Sequence, residues 1–373
     1  MNTPYYIVYE SKLRRNLDLI TRVSQKSGAK IIMAFKANAL WKSFPVFREY
    51  GIQATASSLC EMQLANEELH CLAHTYCPAY TPETIGKFAQ GSSHITFNSV
   101  AQFERYRSQV AAAQHPVSCG LRINPMCSVI DTDIYNPCCP GSRFGVMADQ
   151  LTELPDGIEG LHFHALCESS SYDLEKVLQA VEEQFGRFLP QVKWINMGGG
   201  HLMTRKGYDV EHLIRLIKAF RAKHPNLEVI LEPGSAFCWR TGDLEASVVD
   251  IVENSGIKTA IIDVSFACHM PDCLEMPYKP TICQALPEVD KSKPTYRMGG
   301  NSCLSGDFMG DWSFDHELSI GDRLTFEDMN HYTTVKTNMF NGIQHPALVY
   351  QHSDGQVEVL RTFTYADYKS RMD

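Results

Sequence analysis

Three apolar runs in this 373-residue sequence end on side chains that could do chemistry. The run 29–35 (AKIIMAF) leads straight into Lys36. The run 192–197 (VKWINM) leads into Gly198, Gly199 and Gly200, and the run 228–232 (EVILE) ends on Glu232, ahead of Pro233 and Gly234. A lone lysine is usually a solvated surface charge, but one placed directly behind apolar residues can be desolvated, lose its proton and bond a carbonyl carbon. Consecutive glycines let backbone N–H groups approach an anion such as phosphate, although many glycine triplets are only turns. This triplet is not the G-x-G-x-x-G dinucleotide fingerprint. A carboxylate at Glu232 could be a surface acid, or it could keep a pyridine nitrogen protonated. His162 and His164 alternate within the run 160–165 (GLHFHA) and so are expected to share one face. One reading is an H-x-H metal pair, but that needs ligands from other strand ends, which offer Lys36, Arg122 and Glu232 and no further histidine. The other reading, with no metal, stacks the His164 imidazole on a planar cofactor and packs His162 one layer away.

Positioning these groups requires an alternation of strands and helices. Eight short apolar runs, at 29–35, 52–56, 75–79, 94–97, 117–123, 160–165, 192–197 and 228–232, read as strands. Segments with helical periodicity separate most of them, among them 59–69, 99–113, 173–189 and 208–223. A further helix, 10–26, precedes the first strand. Alternating β and α units imply a parallel sheet, and eight of them imply an α/β fold closed as a (β/α)8 barrel over residues 10–242. Functional groups of such a barrel gather at the C-terminal ends of its strands, where Lys36, the glycines and Glu232 fall. The connection 124–159, with Cys138-Cys139-Pro140-Gly141 and Ser142-Arg143-Phe144-Gly145, reads as loop near the site. Beyond about residue 242, strands follow one another (EASVVDIVE, KTAIIDVS, DRLTFED, QVEVLRTFTY), predicting a C-terminal β-rich domain over 243–373, joined by residues 1–9.

Composition narrows the function classes. Hydrophobic residues at 44% and charged residues at 21% describe a globular chain, and no apolar run approaches the length of a membrane span. The N-terminus lacks the pattern of a secretory signal, which predicts a cytoplasmic protein. The thirteen cysteines are scattered and odd in number, without C-x-x-C pairs, so they read as thiols rather than a disulfide framework or a zinc site. A net charge of −9 argues against a nucleic-acid partner and suits a cationic small molecule.

Taken in order, F-K-A-N, L-R-I-N-P, S-R-F-G, H-F-H-A-L-C-E, N-M-G-G-G-H, L-E-P-G, G-G-N-S-C-L-S-G-D and N-H-Y-T-T-V-K-T-N-M-F-N-G resemble the fold-type III pyridoxal-phosphate decarboxylases, which act on ornithine, arginine and diaminopimelate. The segments L-H-F-H-A-L-C-E and H-M-P-D-C-L-E-M-P look most like the carboxynorspermidine/carboxyspermidine decarboxylase branch. The resemblance spans nearly the whole chain and implies a pyridoxal 5'-phosphate-binding barrel. In it Lys36 holds the cofactor through its amine, His164 stacks on the ring, Glu232 pairs with the ring nitrogen, Gly198, Gly199, Gly200 and Gly234 cradle the phosphate, and Tyr332 adds a hydroxyl. It also implies a homodimer with shared active sites, in which Cys303 comes from the second subunit as the acid that reprotonates carbon. Two departures stand out. Leu166-Cys167-Glu168 replaces the Ser-Gly of ornithine enzymes, and Ser235 replaces the Arg of Glu-Pro-Gly-Arg, so phosphate contacts are expected to be distributed differently. The acidic pair Asp272 and Glu275 falls where the substrate tail is expected and suits a polyamine; the alternative is that both are ordinary loop carboxylates. Rival activities are a diaminopimelate or other basic amino-acid decarboxylase, an amino-acid racemase, and a non-catalytic cofactor-binding homologue.

Overall fold

The structure, a computed structural model, describes residues 1–130 and 135–373. Two compact units result, one of Arg15–Phe237 and one of Met1–Arg14 with Cys238–Asp373; the sequence reading set these divisions at 9/10 and 242/243.

The chain opens on β1 (Tyr5–Tyr9) and α1 (Glu10–Ser27). It then lays down β2 (Lys30–Ile31), β3 (Met33–Ala34), α2 (Phe44–Glu49), β4 (Ala54–Ala56), α3 (Leu59–Glu67), β5 (Ala73–Tyr76), α4 (Ile85–Gly91), β6 (Ser92–Phe97) and α5 (Val100–Ala111). There follow β7 (Ser118–Arg122), β8 (Ile158–His162), α6 (Ser171–Phe185), β9 (Trp194–Asn196), α7 (Val210–Lys223), β10 (Glu228–Leu231) and α8 (Ser235–Cys238). Strands β2 to β10 form one parallel sheet that closes on itself, because β2 pairs with β10 while β3 pairs with β4. The two pieces are one barrel strand parted at Ile32. Ile32 N–H still donates to Leu231 O (2.9 Å), and Met33 N–H turns to Gln53 O (2.9 Å). The expected (β/α)8 architecture is therefore present.

Helices α3 and α5 begin just past the ends of β4 and β6, α6 and α7 follow longer loops after β8 and β9, and all four start on a side-chain cap. Ser58, Ser99, Ser170 and Asp209 each accept from the backbone N–H three residues on, at Glu61, Gln102, Asp173 and His212. Such a cap contributes roughly 1 kcal/mol and sets where the βα loop stops. Inside the barrel the Trp194 ring fills the space of two missing side chains: a Cβ at Gly160 would lie 2.0 Å from it and one at Gly120 2.2 Å.

The second unit is a mixed sheet. After β11 (Gly242–Asn254), β12 (Ile257–Ile262), α9 (Phe266–His269) and α10 (Pro271–Glu275) come β13 (Thr295–Gly299), β14 (Phe308–Ser313), β15 (Arg323–Phe326), β16 (Ala347–Gln351), β17 (Val357–Arg361) and α11 (Tyr365–Lys369). The order is β14-β13-β12-β11-β1-β16-β17, with β15 on β11. The N-terminal strand thus sits inside this sheet, antiparallel to β11 and parallel to β16. Leu244, Phe266, Tyr296, Trp312, Phe314 and Phe326 form its core. No described helix is long and apolar enough to cross a membrane.

Candidate active site

Lys36 follows β3 by two residues. Phe35 N–H still bonds the neighbouring strand at Thr55 O (3.3 Å), and Ala37 N–H returns to Ala34 O (3.1 Å), so a tight turn carries the lysine off the strand end. Its side chain opens into a cavity of about 660 Å³ that is lined also by Thr55, Tyr76, Arg122, His162, His164, Gly199 and Glu232. The surrounding protein desolvates the ammonium, and the Arg122 guanidinium repels it. Together they hold the amine below the ordinary lysine value against the opposing pull of Glu232. A lysine so placed gives up its proton more readily than an exposed one, the direction that carbonyl chemistry requires.

His164 is fixed from one side. Its Nδ1 accepts from Gly199 N–H (2.8 Å), which leaves the proton of the neutral ring on Nε2. Burial, then Lys36 and Arg122, keep it neutral by holding its pKa well below the usual histidine range. β8 ends at His162, so His164 stands in the following turn rather than on the strand. Phe163 N–H makes one more ladder bond, to Asn196 O (2.9 Å), before the chain leaves the sheet. Both histidines line the one cavity. His162 lies edge-on to Tyr76 with ring centroids 5.4 Å apart, and both its ring nitrogens are buried without a hydrogen bond. Its Nε2 is 3.7 Å from Glu232 Oε2.

Glu232 is buried, and desolvation raises its pKa. Asn196 works against that by donating from Nδ2 to Glu232 Oε1 at 2.6 Å, with Thr55 and Lys36 also favouring the carboxylate. Asn196 has a second duty, because its Oδ1 accepts from Gly198 N–H (2.9 Å). The glycines pack against backbone: a Cβ would sit 2.5 Å from Phe163 O at Gly198, 2.6 Å from Glu232 O at Gly199 and 2.4 Å from Leu166 O at Gly200. Gly198 and Gly200 also have φ of +69° and +87°, which disfavours any side chain. At Gly234 the obstacle is Ala37 Cβ, 2.5 Å away.

Lys36, His164, Gly198, Gly199, Gly200, Glu232 and Gly234 are therefore gathered at one end of the barrel. The remaining expected residues belong to the sheet unit. Cys303 is exposed in a loop, its N–H donating to Asn341 Oδ1 (2.8 Å). Tyr332 has φ of +49° and lies against His331. Asp272 and Glu275 both pair with Lys336. Sequence reasoning missed Asn196, Tyr76 and Glu61. Glu61 Oε2 accepts from Ser57 N–H (2.6 Å), and the positive charge of Lys36 acts on it. Asn196, as the last residue of β9, obeys the strand-end signal that picked out Glu232. Among the described residues no group of three His, Cys, Asp or Glu is placed to hold a metal ion.

The cavity suits pyridoxal phosphate on its own features: a deprotonatable lysine, a neutral imidazole, a carboxylate facing two cations, unpaired ring nitrogens on His162, and glycines with no room for a Cβ. Residues 106–330 match the family described as pyridoxal-dependent decarboxylase, C-terminal sheet domain. The chain is 47% identical to a carboxyaminopropylagmatine decarboxylase of Synechocystis, over 99% of this chain and 95% of that one. It is 43% identical to a carboxynorspermidine/carboxyspermidine decarboxylase of Campylobacter jejuni, over 100% of this chain and 98% of that one. A crystal structure of carboxynorspermidine decarboxylase from Campylobacter jejuni in complex with norspermidine superposes with a TM-score of 0.91 at 42% identity, covering 100% of both chains. Whole-length likeness at these identities, together with the site, places the chain in a family: it belongs to the pyridoxal-phosphate-dependent decarboxylases, in the branch that holds the carboxynorspermidine decarboxylases.

Proposed function

We propose that this enzyme decarboxylates a carboxylated polyamine, carboxynorspermidine or carboxyspermidine, in polyamine biosynthesis. The observation that carries the reading is the match over the whole of both chains to a structure that holds norspermidine. When bound, pyridoxal phosphate supplies an electron-accepting ring for the α-carbon of the substrate. The residues of this chain supply the rest. Lys36 would hold the cofactor through its amine. His164, its Nδ1 tied to Gly199, presents a fixed planar face. Glu232 pairs with the ring nitrogen, which favours loss of CO₂ over the weaker electron sink of a racemase, where an Arg typically stands. Gly198 and Gly199 already use their N–H groups on Asn196 and His164, so we assign the closest phosphate contacts to Gly200 and Gly234, with Ser235 and the Tyr332 hydroxyl assisting. We further propose a homodimer in which Cys303 of one subunit returns the proton to the α-carbon in the other's site, and in which Asp272 and Glu275 meet the substrate tail. We also read the protein as cytoplasmic, where thirteen thiols stay reduced, and as having no nucleic-acid partner.

A second reading, a substrate with a guanidino tail, is favoured by the 47% identity to the Synechocystis enzyme. Purified enzyme assayed for CO₂ release on carboxynorspermidine, carboxyspermidine, carboxyaminopropylagmatine, diaminopimelate, ornithine and arginine tests both. A kcat/KM highest for a carboxylated triamine supports the first reading. Preference for the guanidino compound replaces it with the second, and preference for a simple amino acid overturns both.

A further inference from the structure

The acidic pair of α10 is not bare. Pro271 opens that helix at a position where its missing N–H costs nothing, and Asp272 and Glu275, three residues apart, fall on one side of its single turn. Lys336 Nζ sits on both: it donates to Asp272 Oδ1 at 2.7 Å and contacts Glu275 Oε2. The segment that delivers the lysine is itself anchored. Lys336 N–H bonds Thr333 O (2.9 Å), Asn338 N–H bonds Cys268 O (3.0 Å), and Asn338 Nδ2 bonds Ala267 O (2.8 Å). With side-chain exposures of 26% for Lys336 and 19% for Asp272, the contact is more sheltered than an ordinary surface pair.

Decarboxylation changes the charge of its own ligand. The C–C bond to the carboxylate breaks, its electron pair ends in a new C–H bond made with one proton taken up, and the product carries one more positive charge than the substrate. Two unopposed carboxylates would therefore hold the product more tightly than the substrate. We propose that Lys336 is a specificity-determining residue that leaves the α10 pair with one net negative charge, so that the cationic tail is recognised without the more cationic product being retained. The inference rests on the proposed reading that Asp272 and Glu275 meet the substrate tail.

The test uses holoenzyme and norspermidine as the product probe. Lys336→Met removes the charge and keeps the aliphatic stem. Norspermidine should bind Lys336→Met about tenfold more tightly than wild type at low salt, the order of one partly sheltered ion pair. The gain should shrink as salt rises, and Glu275→Gln in the Lys336→Met background should cancel it. Lys336→Arg should behave as wild type. Lys336→Gln, which keeps a hydrogen-bond donor, is the second variant should Lys336→Met fail to fold, and the same gain is expected of it. Affinity in the charge-removed variant equal to or weaker than wild type, or a gain indifferent to salt, overturns the role of the lysine while carboxynorspermidine turnover by wild type leaves the parent reading standing. A wild-type holoenzyme inert toward every carboxylated polyamine overturns the parent reading and this inference together.

Discussion

Replacing Asn196 with Leu removes the hydrogen bond that most favours the charged form of Glu232. The side chain keeps its four heavy atoms and their branching, but the 2.6 Å bond to Glu232 Oε1 disappears. A hydrogen bond to a charged group is worth about 1.5–3 kcal/mol, and one pKa unit corresponds to about 1.4 kcal/mol, so the carboxyl pKa should rise by about 1–2 units. The direction adds to the upward push that burial already exerts. On the proposed role of Glu232 as the carboxylate, the acid limb of the kcat profile should move to higher pH by the same amount, while the basic limb stays in place. The variant also strips Gly198 N–H of its acceptor, a separate penalty that should appear as weaker cofactor retention rather than as a pH shift. Steady-state rates across pH, taken at saturating cofactor, separate the two effects. An acid limb within about 0.3 unit of wild type would refute the argument that Asn196 sets the charge state of Glu232.

Borohydride reduction of the holoenzyme should fix the cofactor to the peptide carrying Lys36, seen by mass spectrometry; a label on any other lysine sinks that assignment. Gly198→Ala forces a Cβ to 2.5 Å from Phe163 O at φ of +69°, and the strain of roughly 1–3 kcal/mol should appear as weaker cofactor binding by equilibrium dialysis. Unchanged affinity would show that the cradle has slack. At the other end of the barrel strands the His94 ring stacks on His74 at 3.9 Å, and burial with nearby Lys30 pushes its pKa down to about 4. The unfolded chain takes up a proton there below the ordinary value of 6.5 and the folded chain resists it. Stability should therefore fall as pH drops from about 6.5 to about 4, by roughly 3 kcal/mol from this group. Urea unfolding of wild type and His94→Gln at both ends of the window checks it, and an equal loss in the two proteins contradicts it.

The barrel was legible because apolar runs and amphipathic helices repeat in step, and because strand ends collect the chemistry; Lys36, the glycines and Glu232 all follow from that one rule. Boundaries moved where local geometry intervened. The run expected at 75–79 is a strand at Ala73–Tyr76, ending short of Pro78, which cannot donate to the ladder. The short helices α2 and α4 lack enough turns to show a period. In the sheet unit, β13, β14 and β16 went unnoticed between more obvious β-branched runs. The pairing of Asp272 with Lys336, across 64 positions, has no local signature at all. Asn196 was missed because a neutral amide announces no chemistry until the carboxylate it serves is seen beside it.

The position of β1 has a consequence for how the molecule is made. Tyr5 pairs with Glu245 on one side and Ala347 on the other, so a strand made before every barrel strand is an interior strand of a sheet whose other members are made after them. The barrel strands are contiguous from Lys30 to Leu231 and can collapse while synthesis continues, whereas β1 must wait unpaired for partners more than two hundred residues downstream. Its exposed edges in that interval, Tyr-Tyr-Ile-Val-Tyr, are the sticky segment of the nascent chain. Trimming those residues from a recombinant product would leave the barrel sequence untouched and open a gap in the middle of the other unit.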